Sequence, residues 1–211
     1  MYLSKTDISN TERVKRLNII NSVSGIKPGN LIGTRSNSGQ ANLAIISSVV
    51  HLGSNPAYLG FIVRPSGEIR RHTQENISQN GLFTINHIQT DFIENAHYTS
   101  AKFDHNISEF EACGLTEETL NDFHAPYVKE SGLKIGLKHV ESVPIKSSST
   151  TMIVGQIEHL YIPDQAINAH GYIDLSIVHS VGISGLNSYY KLEKMTDFPY
   201  ARVSKVPSFK K

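Results

Sequence analysis

The 211-residue sequence contains one cysteine, Cys113, and no tryptophan. A single cysteine excludes an internal disulfide and any zinc site built from several thiolates, and it suits a reducing compartment. An excess of charge of one sign is also missing, because 20 Lys and Arg residues stand against 19 Asp and Glu residues. The formal net charge of +1 does not provide the long-range field that holds nucleic acid or an acidic membrane surface.

Long apolar stretches are absent as well. The most apolar run, residues 43–52, is interrupted by two serines and a histidine, and it is much shorter than the roughly 20 residues of a transmembrane helix. Residues 1–21 carry charges of both signs and no apolar segment of signal-peptide length. We therefore predict a cytoplasmic protein that has neither a membrane nor a nucleic acid as partner.

Motifs of several enzyme classes are missing too. The ten histidines show no His-Glu-x-x-His spacing and no compact cluster with carboxylates, so we predict no metal site. Neither Gly-x-Ser-x-Gly nor Gly-x-Gly-x-x-Gly is present, which leaves a serine-hydrolase elbow and a dinucleotide-binding fold unsupported. For Cys113, ahead of Gly114 in a predicted helix 107–113, we favour a buried structural thiol over a nucleophile.

The patterning of apolar residues predicts mainly β structure with short helices at 7–20 and 71–80, the second having His72 or Thr73 as N-cap. Residues 41–52 read as one long strand apolar on both faces, and the first three strands as a meander. The predicted strands are 30–35, 41–52, 57–63, 82–88, 133–138, 151–162 and 172–178.

Seven or so strands with short helical insertions predict a mainly β (α+β) fold, a closed or nearly closed antiparallel barrel. We expect residues 1–211 to form a single domain with a core at about 24–192, an N-terminal helical arm and a C-terminal tail. Such a barrel has no interior cavity for a large ligand. A ligand would therefore lie on its outside or at a subunit interface.

Two arginines, Arg70 and Arg71, precede the second predicted helix. A helix N-terminus carries about half a positive charge, so two cations there are unfavourable unless an anion binds. A phosphate could accept from backbone N–H groups, from the Thr73 hydroxyl and from a guanidinium together. The alternative is that both arginines are solvated and pair with Glu68 and Glu75.

Ser47 and Ser48 interrupt the apolar run, and hydroxyls in such a strand need partners. Either they bond to nearby backbone, or they belong to a strand edge that offers hydroxyls and N–H groups to a flat polar ligand. Asn42, Asn86 and Ser100 could serve in the same way.

Several segments, taken in order, have the sequence and spacing of a known family. They include Gly39-Gln40-Ala41-Asn42-Leu43-Ala44, Arg71-His72-Thr73-x-x-Asn76, Thr99-Ser100-Ala101-Lys102-Phe103 and Gly185-Leu186-Asn187-Ser188-Tyr189-Tyr190. The chain resembles the flavin reductase-like proteins, the flavoredoxin-type FMN-binding split barrels. Two departures are His72, where the family has Asp, and Ala44-Ile45-Ile46-Ser47, where it has Ala-Pro-x-Ser.

The resemblance implies an antiparallel split-barrel homodimer with one non-covalently bound FMN per subunit at the interface. By position, the FMN phosphate or the chain leading to it would be served by Arg71, Thr73 and Asn76, with His72 beside them. The flavin side of the strand would be lined by Ser47 and Ser48, with Asn42, Asn86 and Ser100 nearby. The partner subunit would contribute Tyr189 or Tyr190.

Three functional hypotheses remain open. The first is an oxidoreductase that passes a hydride from NAD(P)H to FMN and then electrons to free flavin, a ferric complex or a protein acceptor. The second is an FMN-binding electron carrier without NAD(P)H activity. The third is a binding module for another phosphorylated ligand. Because the cofactor supplies the redox chemistry in the first two, no acid or base is required and no catalytic residue is assigned.

Overall fold

Antiparallel pairing dominates the structure, a computed structural model that describes residues 1–65, 72–104 and 106–209. The helices are α1 (Lys5–Asn10), α2 (Arg13–Ser22), α3 (His72–Asn80), α4 (Ile93–Tyr98) and α5 (Glu109–Ala112). The strands are β1 (Lys27–Pro28), β2 (Asn30–Arg35), β3 (Ala41–Ile46), β4 (Val50–Ser54), β5 (Ala57–Val63), β6 (Leu82–His87), β7 (Glu117–Glu118), β8 (Tyr127–Val128), β9 (Lys134–Ile145), β10 (Thr150–Tyr161), β11 (Val181–Ser184) and β12 (Ser188–Lys191).

Seven strands form one sheet in the order β3-β2-β6-β9-β10-β5-β4. Its two edge strands, β3 and β4, are consecutive in the chain and are joined by residues 47–49. This connection runs from one edge of the sheet to the other. The sheet therefore curls into a nearly closed barrel, as predicted. Two smaller units accompany it, a three-stranded sheet β1-β11-β12 and the pair β7-β8.

The predicted long strand 41–52 is wrong, because the chain leaves the sheet edge at Ser47. Ser48 fixes the connection between β3 and β4 to strand β5. Its Oγ accepts from the N–H of Ile62 (3.0 Å) and donates to the carbonyl of Ile62 (3.3 Å). The predicted meander is wrong for the same reason, since β3 pairs with β2 whereas β4 pairs with β5.

The barrel interior is one apolar cluster to which β2, β5, β6, β9, β10 and helix α3 contribute. Phe61 and Phe83 meet edge to face at its centre, with ring centroids 5.5 Å apart. A second cluster lies outside the barrel, where the other face of β3 packs against α4, α5 and β11. Strand β3 thus has apolar packing on both faces, as the sequence predicted for this part of the run.

Three further predictions differ from the structure. Residues 172–178 form turns instead of a strand, because Asp174 Oδ1 accepts from the backbone N–H and the hydroxyl of Ser176. The N-terminal helix is broken in two at Glu12, whose carboxylate caps α2 by accepting from two backbone N–H groups. His72 and Thr73 lie inside α3 and do not precede it.

The remaining predicted elements are present, but the strand predicted at 133–138 continues to Ile145 as β9 and the helix predicted at 107–113 is limited to Glu109–Ala112. Strands β2, β5, β6 and β10 occupy their predicted positions within one residue at each end. Gly81, after α3, has φ +74°, the left-handed conformation of a helix-terminating glycine. Among the described residues, no helix is long and apolar enough to cross a membrane.

Candidate functional site

Four neutral polar side chains meet where α3 begins, at one end of the barrel interior. Asn42 of β3 donates through Nδ2 to Thr34 Oγ1 of β2 (3.3 Å) and to Thr73 Oγ1 of α3 (3.1 Å). Asn76, one turn further along α3, donates through Nδ2 to Thr34 Oγ1 (3.1 Å). All four are at most 7% exposed. We call these residues, Thr34, Asn42, Thr73 and Asn76, the polar cluster.

The polar cluster fixes the start of a nine-residue helix to two strands of the barrel. The first N–H groups of a helix have no partner within it and favour an anion. The cluster itself contributes hydroxyls and amides and no charge, while Glu75 is the acidic residue of the first turn. The positive charge that attracts an anion to this end would come from the helix start and from the arginines that precede α3 in sequence.

Two of the predicted phosphate-site residues, Thr73 and Asn76, are therefore brought together with Asn42, which was predicted to lie near the flavin. His72 is the first residue of the same helix. Arg71 lies outside the described residues, as does Arg70. The role of Arg71 stays a prediction.

A buried carboxylate closes the outer edge of β3. The Leu43 N–H, which points away from β2, donates to Glu109 Oε2 at the start of α5 (2.9 Å). Glu109 is 7% exposed, and burial raises the pKa of its carboxyl above the ordinary value. Burial, followed by the charge of Glu109, also raises the pKa of the Cys113 thiol. Cys113 is buried, as predicted for a structural thiol.

A third group of polar side chains lies on α4 and β12, beside the cluster that packs on the outer face of β3. The Tyr189 hydroxyl and His97 Nδ1 are 2.9 Å apart, and the two rings meet edge to face. Burial raises the pKa of Tyr189 to about 12. Ser100 donates to the carbonyl of His97 (2.7 Å) just after the helix ends. Two predicted site residues thus share one neighbour, His97.

Asn86 lies in the barrel wall and shares no hydrogen bond with these three groups. Its Nδ2 donates to the carbonyl of Leu31 (3.2 Å) and to Thr84 Oγ1 (2.9 Å). Its Oδ1 accepts from the N–H of Val128 (3.0 Å). These bonds join β6 to β2 and β8. Asn86 thus ties the wall together, and a contact with flavin remains a prediction, as it does for Ser47 and Ser48.

The structure adds three residues that sequence reasoning missed, namely Thr34, Glu109 and His97. Thr34 carried a signal, since a hydroxyl in the apolar strand 30–35 needs a partner just as Ser47 does. Glu109 and His97 carried none, because their partners are 66 and 92 residues away along the chain.

A family comparison agrees with this architecture. The model of the flavin reductase like domain matches residues 26–177. The chain belongs to this family. The resemblance seen in the sequence is thereby confirmed, and so is the antiparallel split-barrel fold that it implied. The family is one of flavin-linked oxidoreductases.

Solved structures share the fold. A split-barrel protein from Shewanella frigidimarina NCIMB 400, provisionally described as a flavin reductase, is 48% identical, with a TM-score of 0.92 over 95% of this chain and 100% of that one. The flavoredoxin of Desulfovibrio vulgaris (Miyazaki F) is 21% identical, with a TM-score of 0.73 over 86% and 94% of the two chains. An FMN-binding protein from Thermus thermophilus is 13% identical, with a TM-score of 0.69 over 82% and 90%.

Proposed function

We propose that this protein is an FMN-binding homodimeric flavoprotein that acts as an NAD(P)H-dependent flavin or ferric reductase. One observation carries the proposal, namely the polar cluster that holds the start of α3 against β2 and β3. It supports a phosphate site because it places a helix N-terminus at a fixed position on the barrel end. Membership of the flavin reductase like domain family is the reason for proposing a flavin as the ligand.

The residues present fit FMN in their donor chemistry. First-turn N–H groups of α3 and the guanidinium of Arg71 would hold the phosphate, and Thr73 and Asn76 would orient the helix. The bound flavin supplies the redox chemistry. The electron donor would be the nicotinamide of NAD(P)H. The electron acceptor would be free flavin, a ferric complex or a redox protein.

The outer face of β3, on the side of α4 and β12, would lie beside the flavin. Here the hydroxyl of Tyr189 is held by His97, and the neighbouring Tyr190 is 49% exposed. We propose that one of these tyrosines approaches the flavin of the partner subunit.

A carrier without NAD(P)H activity is the second candidate, favoured by the likeness in fold to a flavoredoxin. Anaerobic addition of NADH or NADPH to the purified yellow protein separates the two functions. Bleaching of the flavin within a turnover time supports the reductase, and persistent colour supports the carrier. A colourless protein that ignores added FMN would exclude both and leave a site for another phosphorylated ligand.

The phosphate site is tested by comparing two arginine variants. We expect Arg71→Ala to weaken FMN binding by at least about tenfold, because it removes a charge-assisted hydrogen bond. Arg13→Ala is the matched control, since Arg13 lies on α2, a helix without buried residues. Equal FMN affinity of the two variants would remove Arg71 from the site.

A further inference from the structure

The C-terminal tail, residues 192–209, carries large apolar side chains that nothing in the described part of the chain covers. Apart from the short 3₁₀ turn Val203–Lys205 it has no regular structure. Lys194 ties its start to Asp174 (3.8 Å). The exposed side chains are Met195 (88%), Phe198 (84%), Tyr200 (85%), Val203 (95%), Val206 (61%) and Phe209 (79%).

Six such side chains in one segment are more than a soluble monomer ordinarily leaves in water, where apolar residues scatter singly. Three aromatic rings, a methionine and two valines offer on the order of 800 Å² of surface for burial. That is about the share of each partner in a standard protein–protein interface. The tail therefore has the area of an interface without a surface to pack on.

An apolar surface of the right kind lies on the outer face of the β4-β5-β10-β9 half of the sheet. A Cβ on Gly60 would lie 2.9 Å from Leu52 Cδ1 and 3.4 Å from Met152 Cγ, so these two side chains meet above the glycine. We call the surface the outer patch, and it consists of Val50, Leu52, Ile62, Val143 and Met152.

Strand register assigns the outer patch to one face. Met152 pairs with Ile62 on one side and with Val143 on the other, and directly opposite residues lie on the same face. The adjacent residues Phe61 and Ile153 are buried in the barrel interior. The outer patch is therefore the opposite, outward face, and Val50, Leu52 and Val143 are 43%, 44% and 39% exposed there.

We infer that the tail of one copy packs on the outer patch of a second copy of this chain. Both surfaces stay exposed within one chain, so neither covers the other there. In a two-fold symmetric pair each copy provides one tail and one patch, and both contacts form together. Fully extended, the 18 residues of the tail span about 60 Å, enough to cross a neighbouring subunit. The inference rests on the dimer of the proposed function and not on its flavin.

The first test replaces apolar side chains of the tail without shortening it. The variant Phe198→Ser, Tyr200→Ser, Phe209→Ser is expected to raise the dimer Kd at least tenfold in sedimentation velocity. The control variant Arg202→Ser, Lys205→Ser changes charge in the same tail and is expected to leave the dimer Kd within threefold. A triple variant that dimerises like the control would overturn the inference.

The second test locates the contact. A benzophenone side chain in place of Phe198 is introduced into chains of natural isotope content, which are equilibrated with ¹⁵N-labelled chains until native mass spectrometry shows mixed dimers. Irradiation is expected to link the natural tail to labelled peptides from residues 50–63 or 140–154. Links within one copy only, links to other surfaces or no links in a mixed dimer would each overturn the inference.

The same samples separate this inference from the flavin proposal. A yellow dimer without the expected links overturns only the inference that the tail packs on the outer patch of the second copy. A colourless dimer that shows the links and does not bind added FMN overturns the proposed flavin binding alone.

Discussion

The two ends of the barrel interior bury polar groups in different ways. At the α3 end, Asn42 and Asn76 both donate to Thr34, and every member of the polar cluster is uncharged. At the opposite end, Asn30 of β2 pairs with His87 of β6. There the buried Asn30 Oδ1 has no hydrogen-bond partner among the described residues, and burial lowers the pKa of His87 to about 4.

This difference shows which end is built to stay fixed. Neutral groups that satisfy one another hold their positions over a wide pH range, because none of them titrates near neutrality. The opposite end contains His87, whose protonation is disfavoured by burial, so acidic pH destabilises the native state there. A helix start that must present its N–H groups in one place is expected at the first end, where α3 lies.

The largest effect is expected from breaking the polar cluster at its shared acceptor. Thr34→Val keeps the shape of the side chain but leaves buried amide donors of Asn42 and Asn76 without Thr34 Oγ1. We expect the free energy of unfolding to fall by about 2–4 kcal/mol and FMN binding to weaken, measured by urea denaturation and by flavin fluorescence.

Thr150→Val is the control for this variant. Thr150 also lies in a strand and its Oγ1 is 2.8 Å from the hydroxyl of Ser148, but this pair is exposed. The control is expected to change stability by less than about 0.5 kcal/mol. If Thr34→Val were as mild, the polar cluster would not hold α3.

The second effect concerns acid stability at the opposite end. Unfolded His87 binds a proton near pH 6.5, whereas the folded residue does so at about 4, so the stabilisation present above pH 6.5 is lost as the pH falls to 4. The loss is at most about 3 kcal/mol. His87 Nδ1 lies 3.0 Å from the Ser180 hydroxyl, and His87→Gln keeps a group able to bond to it. Denaturation curves between pH 7 and 4 should show a shallower decline for this variant.

His139→Gln provides the comparison, because His139 Nε2 contacts the hydroxyl of Ser142 (2.9 Å) in an exposed position. This variant should follow the pH profile of the native protein. Parallel profiles for all three proteins would show that His87 is not the acid-sensitive group.

The smallest effect is expected between the two ends, at the edge of β3. Burial raises the pKa of Glu109, so its contribution to stability is complete below the ordinary pKa of 4.5 and is lost as the pH rises through the raised value. Glu109→Gln keeps an acceptor for the Leu43 N–H without the charge. The native protein should therefore lose stability relative to this variant between acidic and neutral pH.

Glu111→Gln, on the exposed face of the same helix, is the matched control in that series and should show no such trend. A constant difference between the native protein and Glu109→Gln across this pH range would mean that the carboxyl is not desolvated.

Much of the barrel could be predicted from local pattern. Strands β2 and β10 follow from alternating or continuous apolar residues between turn-forming residues. The break at Ser47 could not be predicted that way, because it depends on the bond from Ser48 to Ile62 across the closing barrel. The turn at Asp174 was hidden by the apolar residues around it, of which Tyr172, Leu175 and Ile177 are exposed.

The candidate site was predicted less well. Family resemblance predicted Thr73 and Asn76 at the phosphate and Asn42 near the flavin, and the charge of the helix start indicated why an anion would bind near Thr73. Neither indicated that Thr34 joins them. Residue type and the family resemblance both grouped Asn86 with the ligand-facing amides, and neither indicated that its bonds tie β6 to β2 and β8. The contact of Asn86 with flavin stays a prediction.

In the proposed site, the barrel end fixed by the polar cluster holds the phosphate of a flavin nucleotide. The most direct measurement compares the Kd of FMN with that of riboflavin, which lacks the phosphate, by titrating flavin-free protein and following flavin fluorescence. We expect FMN to bind at least about 100-fold more tightly, since charge-assisted hydrogen bonds to the phosphate are lost in riboflavin. Equal affinity for the two flavins would contradict it.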